Sequence, residues 1–513
     1  MRHPGCRAVH TIITNRDLAR TGWFGTPLRW LSLGETGLAT SGGKPWLTDA
    51  ARPAWQRVAW LAWPAFLQQM LILVIHVSDR WLAGHASPDG EGTDLAAQAA
   101  HTTCFYLGWV MSSYGTLVSV GATALVSRAV GAGNPGKANR LTHQSLMLAA
   151  GLGCLATILA IPPLEQLLAL LQLDGPALGL AKSYLTPLIL AFPLQLLSIG
   201  ASACLAGAGD TRTGLWVLGG VATLNIPLTW WFFHGGGGVP ELGFAGIAIG
   251  TAVSQSAGAV ALLVVLSLGR AGLELKASLF APNPADLKSL LAVSLPAALD
   301  SLSIAMGQLV FMGMVNSLGD ASRGAHGIAL GWEALGFLTG AAFGTAGMTL
   351  VGQNLGAGSP AEARRCGWTA FLMGAVAMSM MGVLFHQAAQ PMFGLFCPRP
   401  EQAPIMRLGV PVLQLVAFSM PALSAVIVLT SVLRGAGDSA HPLVYTWIGF
   451  LGVRLPLAAL LALDSVMVPG LINLAGAGMG LYGCWLAMQA DIHVRGALFL
   501  WRFQGDDWLK TRV

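Results

Sequence analysis

Charged side chains make up only 10% of this 513-residue chain. A soluble domain carries about 25%, so these charges could not cover the surface of a soluble protein of 53.3 kDa. Apolar residues take their place, at 54%, and the mean hydropathy is +0.64. The bilayer must therefore be the solvent for most of the chain. Paired cysteines are missing as well. Cys6, Cys104, Cys154, Cys204, Cys366, Cys397 and Cys484 are scattered, with no CxxC spacing. Most lie in apolar runs, where a thiol behaves as a small hydrophobe. Neither a disulfide framework nor a metal site is implied. HExxH, GxSxG and P-loop segments are absent, which argues against an enzyme. Gly131-Ala132-Gly133-Asn134-Pro135-Gly136 has the form GxGxxG, but no strand precedes it and it joins two apolar runs. It is not a nucleotide fingerprint, and no cofactor is expected.

What the chain does contain is a stretch that occurs twice. Val126 to Arg140 reads VSRAVGAGNPGKANR, and Val351 to Arg365 reads VGQNLGAGSPAEARR. Each ends a long apolar run with Gly-Ala-Gly, turns through Asn or Ser and Pro, and leaves on a basic residue. A second pair follows, LAGAGD at Leu205–Asp210 and LRGAGD at Leu433–Asp438. Pro64 and Pro296 open corresponding apolar runs in the same register. The shift is a little under half the chain, so the protein is two homologous halves and not a solenoid. Duplicated sets of apolar helices are the sequence mark of a secondary transporter.

Twelve runs are long enough to span a bilayer: 56–84, 95–130, 140–162, 178–207, 212–233, 243–269, 287–318, 324–355, 365–388, 404–434, 440–463 and 475–502. The fold class is therefore an all-α integral membrane protein, with twelve transmembrane helices in two homologous six-helix bundles. The domain reading is a polar tail at 1–55, a first lobe with the inter-lobe loop at 56–284, a second lobe at 285–505 and a short tail at 506–513. The N-terminal tail has no apolar core of signal-peptide length, and its expected state is disordered or lying on the membrane surface. Runs 95–130 and 324–355 exceed a straight span and should tilt or protrude. Prolines inside the runs mark bends, and Pro193 and Pro421 place one such bend in both halves.

Lys and Arg set the orientation. With the N-terminus in the cytoplasm, most of them fall on the inner side, including Arg128, Lys137, Arg140, Arg270, Arg364, Arg365, Arg434 and Arg495. Only Arg80, Lys182, Arg323, Arg399 and Arg407 fall outside. Both termini are then cytoplasmic, and the outer loops are short and partly acidic, as at Ser87–Asp94. The net charge of +5 faces the anionic inner leaflet, so no nucleic-acid partner is needed to explain it.

Several segments resemble the MATE (multidrug and toxic compound extrusion) transporters in order and spacing. The first span reads WPAFLQQMLILVIHVSDRWLAGH, and the fifth ends in LNIPLTWWFF. PELGFAGIAIGTAVSQ, AHGIALGWEALGF…LVGQNLGAG and ADIHVRGALFLWRFQGDDW follow. The resemblance covers roughly residues 56–505. It implies two bundles around a central cleft in the cytoplasmic membrane. It also implies export of organic, often cationic, compounds in exchange for H⁺ or Na⁺. The partners expected are small organic molecules and the bilayer, around a monomeric transporter.

Charges inside spans are costly and so point to function. Asp79 stands in the outer part of span 1. It is either a helix-end acid paired with Arg80 or, at the family's distance from the proline, the coupling carboxylate. Asn225 and Thr229 share one face of span 5. They could complete a proton network or a Na⁺ shell with Asp79, or simply bond between helices. Many relatives have a carboxylate where Thr229 stands, so H⁺ is favoured over Na⁺. Thr251 on span 6 resembles a further member. The second half offers Asp300, Glu333, Arg454 and Asp491, where one Arg and three acids could pair structurally or act directly. Other relatives carry acids where this chain has Ile304 and Leu423, which puts a second-half cation site of that kind in doubt. His76, His85, His101 and His493 are singles without ligand spacing. Met378, Met380, Met381, Phe105, Tyr106, Trp109, Trp230 and Trp231 could line an adaptable cavity or face lipid. A flippase for a lipid-linked precursor is the alternative. It would need several cavity arginines for a pyrophosphate, and only Arg454 lies deep in a span.

Overall fold

The computed structural model describes residues 46–83, 93–170, 175–468 and 472–511. Most of the N-terminal tail, His85 and the segment before Thr93 lie outside the described residues. So do the side chains of His101, Phe105, Tyr106 and Trp109.

Twelve long helices run through the described residues. The first six are α1 (Ala54–Ala83), α2 (Thr93–Gly131), α3 (Pro135–Ala160), α4 (Gly175–Gly207), α5 (Thr211–His234) and α6 (Gly243–Ser267). The rest are α7 (Pro284–Ser317), α8 (Asp320–Gly356), α9 (Pro360–Gln387), α10 (Pro400–Gly435), α11 (Ala440–Ala462) and α12 (Gly480–Gln504). Ten of them are long and apolar enough to cross a membrane. The remaining two are α2 and α12, and α12 carries Asp491, Arg495 and Arg502. Helix α2 is 39 residues long and α8 is 37. At 1.5 Å per residue each reaches about 55 Å or more, well beyond a bilayer core of about 30 Å.

The duplicated stretches are helix caps. After α2, Gly133 takes φ +66°, and Asn134 N–H donates to the Ala129 carbonyl at 3.0 Å. After α8, Gly358 takes φ +69°, and Ser359 N–H donates to Asn354 at 2.9 Å. After α4 and α10, Gly209 and Gly437 do the same, with Asp210 and Asp438 closing onto Leu205 and Leu433. Each is a left-handed closure that favours glycine. The prolines that follow, Pro135 and Pro360, open the next helices, where no N–H donor is needed. The Asn134 side chain accepts from Lys137 N–H at 2.9 Å and caps α3. The two Asp residues also anchor the chain at or just beyond the end of the last helix of each half. Asp210 pairs with Arg270 at 2.8 Å, and Asp438 pairs with Arg502 at 2.8 Å.

The first six helices pack on one another through α4, which lies against α2, α3 and α6. The last six do so through α9, α10 and α12. Between halves, α1 and α2 cross α7 and α8. The crossing is tightest near the Gly-Ala-Gly turns. A Cβ on Gly131 would strike the Gln353 backbone, and one on Gly356 would strike the Arg128 carbonyl. Polar contacts between halves cluster at this end. Arg57 donates to Glu362 at 2.6 Å, Thr349 to the Ala206 carbonyl at 2.9 Å, and Gln353 to the Gly207 carbonyl at 2.9 Å.

Two features depart from the sequence reading. Between α11 and α12, β1 (Ser465–Val468) pairs antiparallel with β2 (Ile472–Ala475), so α12 begins five residues later than the apolar run. The β-branched Val466, Val468 and Ile472 favour this pairing. The two bend prolines also differ. Helix α4 stays α-helical through Pro193, whereas α10 widens into a π-helix at Ala425–Leu429 just after Pro421. A second π-helix, Trp447–Arg454, sits inside α11.

Candidate functional site

In the first half, glycines on α6 let α5 come close. A Cβ on Gly250 would stand 2.6 Å from Thr229 Cα, and Gly246 and Gly258 meet Phe232 and Val221 in the same way. That approach sets Asn225 and Thr229 of α5 against Thr251 and Ser254 of α6. Asp79 of α1 closes the group and is only 4% exposed. Thr251 Oγ1 donates to Asp79 Oδ2 at 3.0 Å. Asn225 Nδ2 donates to Thr251 Oγ1 at 2.9 Å and to Ser254 Oγ at 3.3 Å. The bonds run in series from the amide to the hydroxyl to the carboxyl. Asp79 Oδ1, Asn225 Oδ1 and Thr229 Oγ1 are buried without a partner.

The structure therefore gathers the four first-half residues singled out in the sequence, with their roles reordered. Thr251 touches the carboxyl directly, and Asn225 reaches it through Thr251. Thr229 is buried beside them, but its hydroxyl bonds to none of them. Ser254 was missed, although it sits one helical turn from Thr251 on the same face.

The second half arranges its charges differently. Asp300 does not join Arg454. It pairs with Arg434 at 2.5 Å, near the second LRGAGD turn. Arg454 pairs with Asp491 at 2.7 Å, and Arg495 takes the same carboxyl at 2.6 Å. Position along the run placed Arg434 and Arg495 at the membrane surface, but both are enclosed, with side chains 13% and 6% exposed. Glu333 is buried and has no hydrogen bond or ion pair among the described residues.

The halves correspond position by position. Phe311 follows Pro296 by as many residues as Asp79 follows Pro64. Arg454 stands before Pro456 as Asn225 stands before Pro227. Gly483 packs on Leu461 as Gly246 packs on Phe232, which aligns Asp491 with Ser254. An ion pair thus replaces the amide–hydroxyl pair, and a phenyl ring replaces the acid. Two structurally matched places carry different chemistry.

Other candidates scatter. Met378 is buried in the core of the second half, while Met380, Trp230 and Trp231 are exposed on helix surfaces. His493 bonds to the Gln489 carbonyl of its own helix. Among the described residues no three His, Cys, Asp or Glu converge as a metal site. A cavity of about 90 Å³ lies where α1, α4, α5 and α8 meet, lined in part by Gln68, Gln69, Asp210 and Thr345.

The family model described as MatE matches residues 64–231 and 296–460, one segment in each half. A probable multidrug resistance protein NorM from Thermotoga maritima is 30% identical over 459 residues, 88% of this chain and 93% of that one. The multidrug resistance protein MdtK of Pectobacterium atrosepticum is 30% identical, over 83% of this chain and 90% of its own. Among solved structures, a crystal structure of MATE in the straight conformation aligns with a TM-score of 0.81 at 19% identity, covering 92% of this chain and all of that one. The Vibrio cholerae MATE transporter VcmN aligns with a TM-score of 0.77 at 17% identity, over 88% of this chain and 96% of that chain.

Proposed function

Because the chain belongs to the MATE family of transporters, we propose that it exports organic, mainly cationic, compounds across the cytoplasmic membrane in exchange for protons. The observation that carries this reading is Asp79. It is a carboxyl enclosed by three membrane helices, and its described hydrogen bond is a single one, to Thr251. A carboxyl held this way can change its charge without breaking a fixed ion pair. Na⁺ is less well served, because Asp79 is the sole anionic oxygen donor of the group and Thr229 stands where an acid would be needed.

The working cycle follows from the bond series. The Gly-Ala-Gly end faces the cytoplasm, as the Lys/Arg distribution favours. The inter-half contacts at that end leave the outer side as the one from which Asp79 is loaded. A proton on Asp79 Oδ2 turns an acceptor into a donor, so Thr251 must redirect its hydroxyl hydrogen, and its oxygen then accepts from both Asp79 and Asn225. Helix α1 then shifts against α5 and α6, and the substrate leaves outward. The protonated carrier turns inward, releases the proton and binds again. Coupling requires that the proton favour one state over the other, since equal binding would shift nothing. The flippase alternative gains no support. Two further enclosed arginines exist, Arg434 and Arg495, but Asp300 holds the first and Asp491 occupies both Arg495 and Arg454. None of these guanidinium groups is free for a pyrophosphate.

Dye efflux from proteoliposomes under an imposed ΔpH tests the proposal. Asp79→Asn should insert and fold yet lose gradient-driven transport. Wild-type efflux that follows ΔpNa with ΔpH collapsed would overturn the proton assignment.

A further inference from the structure

The second half contains a polar cluster that the cycle above does not use. Its centre is Glu333 of α8, 8% exposed and without a hydrogen bond or ion pair among the described residues. The charged groups facing it are Arg454 of α11 and Arg495 of α12, both within electrostatic reach. Asp491 of α12 binds both of those arginines. Helices α9 and α10 carry their charges near their ends, and Asp300 of α7 is held by Arg434. His326 lies two turns from Glu333 on the same face of α8, about 10 Å toward the far end of the helix.

Around His326, buried polar atoms lack partners. They are both ring nitrogens of His326, Nε1 of Trp485, and both amide atoms of Gln489. These belong to one place. The His326 ring centroid is 5.4 Å from Trp485 and 5.9 Å from Phe311, and Arg454 Cζ is 5.9 Å from the same Phe311 ring. Trp485 and Gln489 are one turn apart on α12. Buried polar groups nearly always find partners, and water is the partner small enough to serve several here. The orphan atoms sit between the outer end of the half and Glu333.

We infer that Glu333 is a second proton-carrying carboxyl, loaded from the outer side through a hydrated run lined by His326, Trp485 and Gln489. This rests on the proton-coupled reading above and extends it to the second half. The step is a simple transfer. A hydronium ion gives its proton to a Glu333 oxygen and leaves as water, and a neutral His326 can relay by accepting at one ring nitrogen and releasing from the other. With Glu333 ionised, two arginines face two carboxylates and the cluster is neutral. With Glu333 protonated, one positive charge is uncompensated, and a bound cation is disfavoured. Proton and cationic substrate then oppose each other, as exchange requires.

Infrared difference spectra between acid and alkaline buffer test this in proteoliposomes, on the wild type, Glu333→Gln, Asp79→Asn and the double variant. The wild type should show two protonated-carboxyl components. Glu333→Gln should remove one, Asp79→Asn the other, and the double variant both. The ΔpH dependence of efflux should become shallower in Glu333→Gln, by one proton per substrate. His326→Phe should slow the appearance of the Glu333 component without removing it. Glu333→Asp, which keeps the carboxyl, should retain a shifted band if Glu333→Gln fails to fold. A spectrum unchanged by Glu333→Gln, or unshifted in Glu333→Asp, would overturn the inference. Loss of a component in Asp79→Asn alone would leave the first-half site standing. Loss in Glu333→Gln alone would leave only the second.

Discussion

Thr251 decides how Asp79 is held. It donates to the carboxyl and accepts from Asn225, so among the described residues it is the only link between the amide and the acid. Thr251→Val keeps the shape and removes both bonds. A buried hydrogen bond to a charged group contributes about 1.5–3 kcal/mol. Efflux should therefore fall at least about tenfold, since about 1.4 kcal/mol is a factor of ten. Thr251→Ser should restore it, and a Val variant at wild-type rate would remove Thr251 from the mechanism. Gly250 makes the contact possible. Gly250→Ala places a methyl 2.6 Å from Thr229 Cα, so α5 must move away from α6. Overpacking of this kind costs about 1–3 kcal/mol, and a lower melting temperature in detergent should report it. The acid and its polar neighbours were legible because charge and amide groups stand out in apolar runs. The direction of the bonds was not, because it depends on which helices meet at a glycine.

At the scale of elements, the twelve spans were readable to within a few residues. Length of apolar run and cap chemistry are local properties, and the Gly-Ala-Gly, Asn-Pro and Gly-Asp stretches are the caps themselves. The hairpin after α11 was hidden because its residues are as apolar as a span. Charge pairing was hidden for a different reason. Arg434 and Asp300 lie 134 residues apart in sequence, and only packing brings them together. The Asp210–Arg270 anchor offers a test of the cap reading. Asp210→Asn keeps a capping side chain for α5 but loses the charge on Arg270. The cost should be about 1.5–3 kcal/mol. Asn in an Arg270→Gln background should cost little more than Arg270→Gln alone, which a double-mutant cycle measures. Full additivity would mean that the pair contributes nothing.

Across the whole molecule, the two halves are joined at one end by a few groups that must part if the carrier is to open there. Arg57 is one of the most enclosed of these. It is fully buried, its Nη2 donates to Glu362 at 2.6 Å, and its Nη1 donates to the Leu47 carbonyl at 3.2 Å. Helix α1 carries Arg57 at its start and Asp79 near its other end, so a movement of α1 driven from Asp79 acts on this pair as well. Breaking a buried pair by removing one partner costs about 3–5 kcal/mol, less here because the Glu362 side chain is 18% exposed. That energy holds the closed arrangement of the Gly-Ala-Gly end. Glu362→Gln should shift the population toward the state in which this end is open, without touching Asp79 or Glu333. A cysteine placed at Ser127, which is fully buried against Gly352, reports the shift. Its labelling by a thiol reagent should rise about tenfold or more in the Glu362→Gln background, since about 1.4 kcal/mol of lost closure suffices for that. Labelling at the same rate in both backgrounds would mean that the small-residue contacts of α2 and α8 alone keep this end closed.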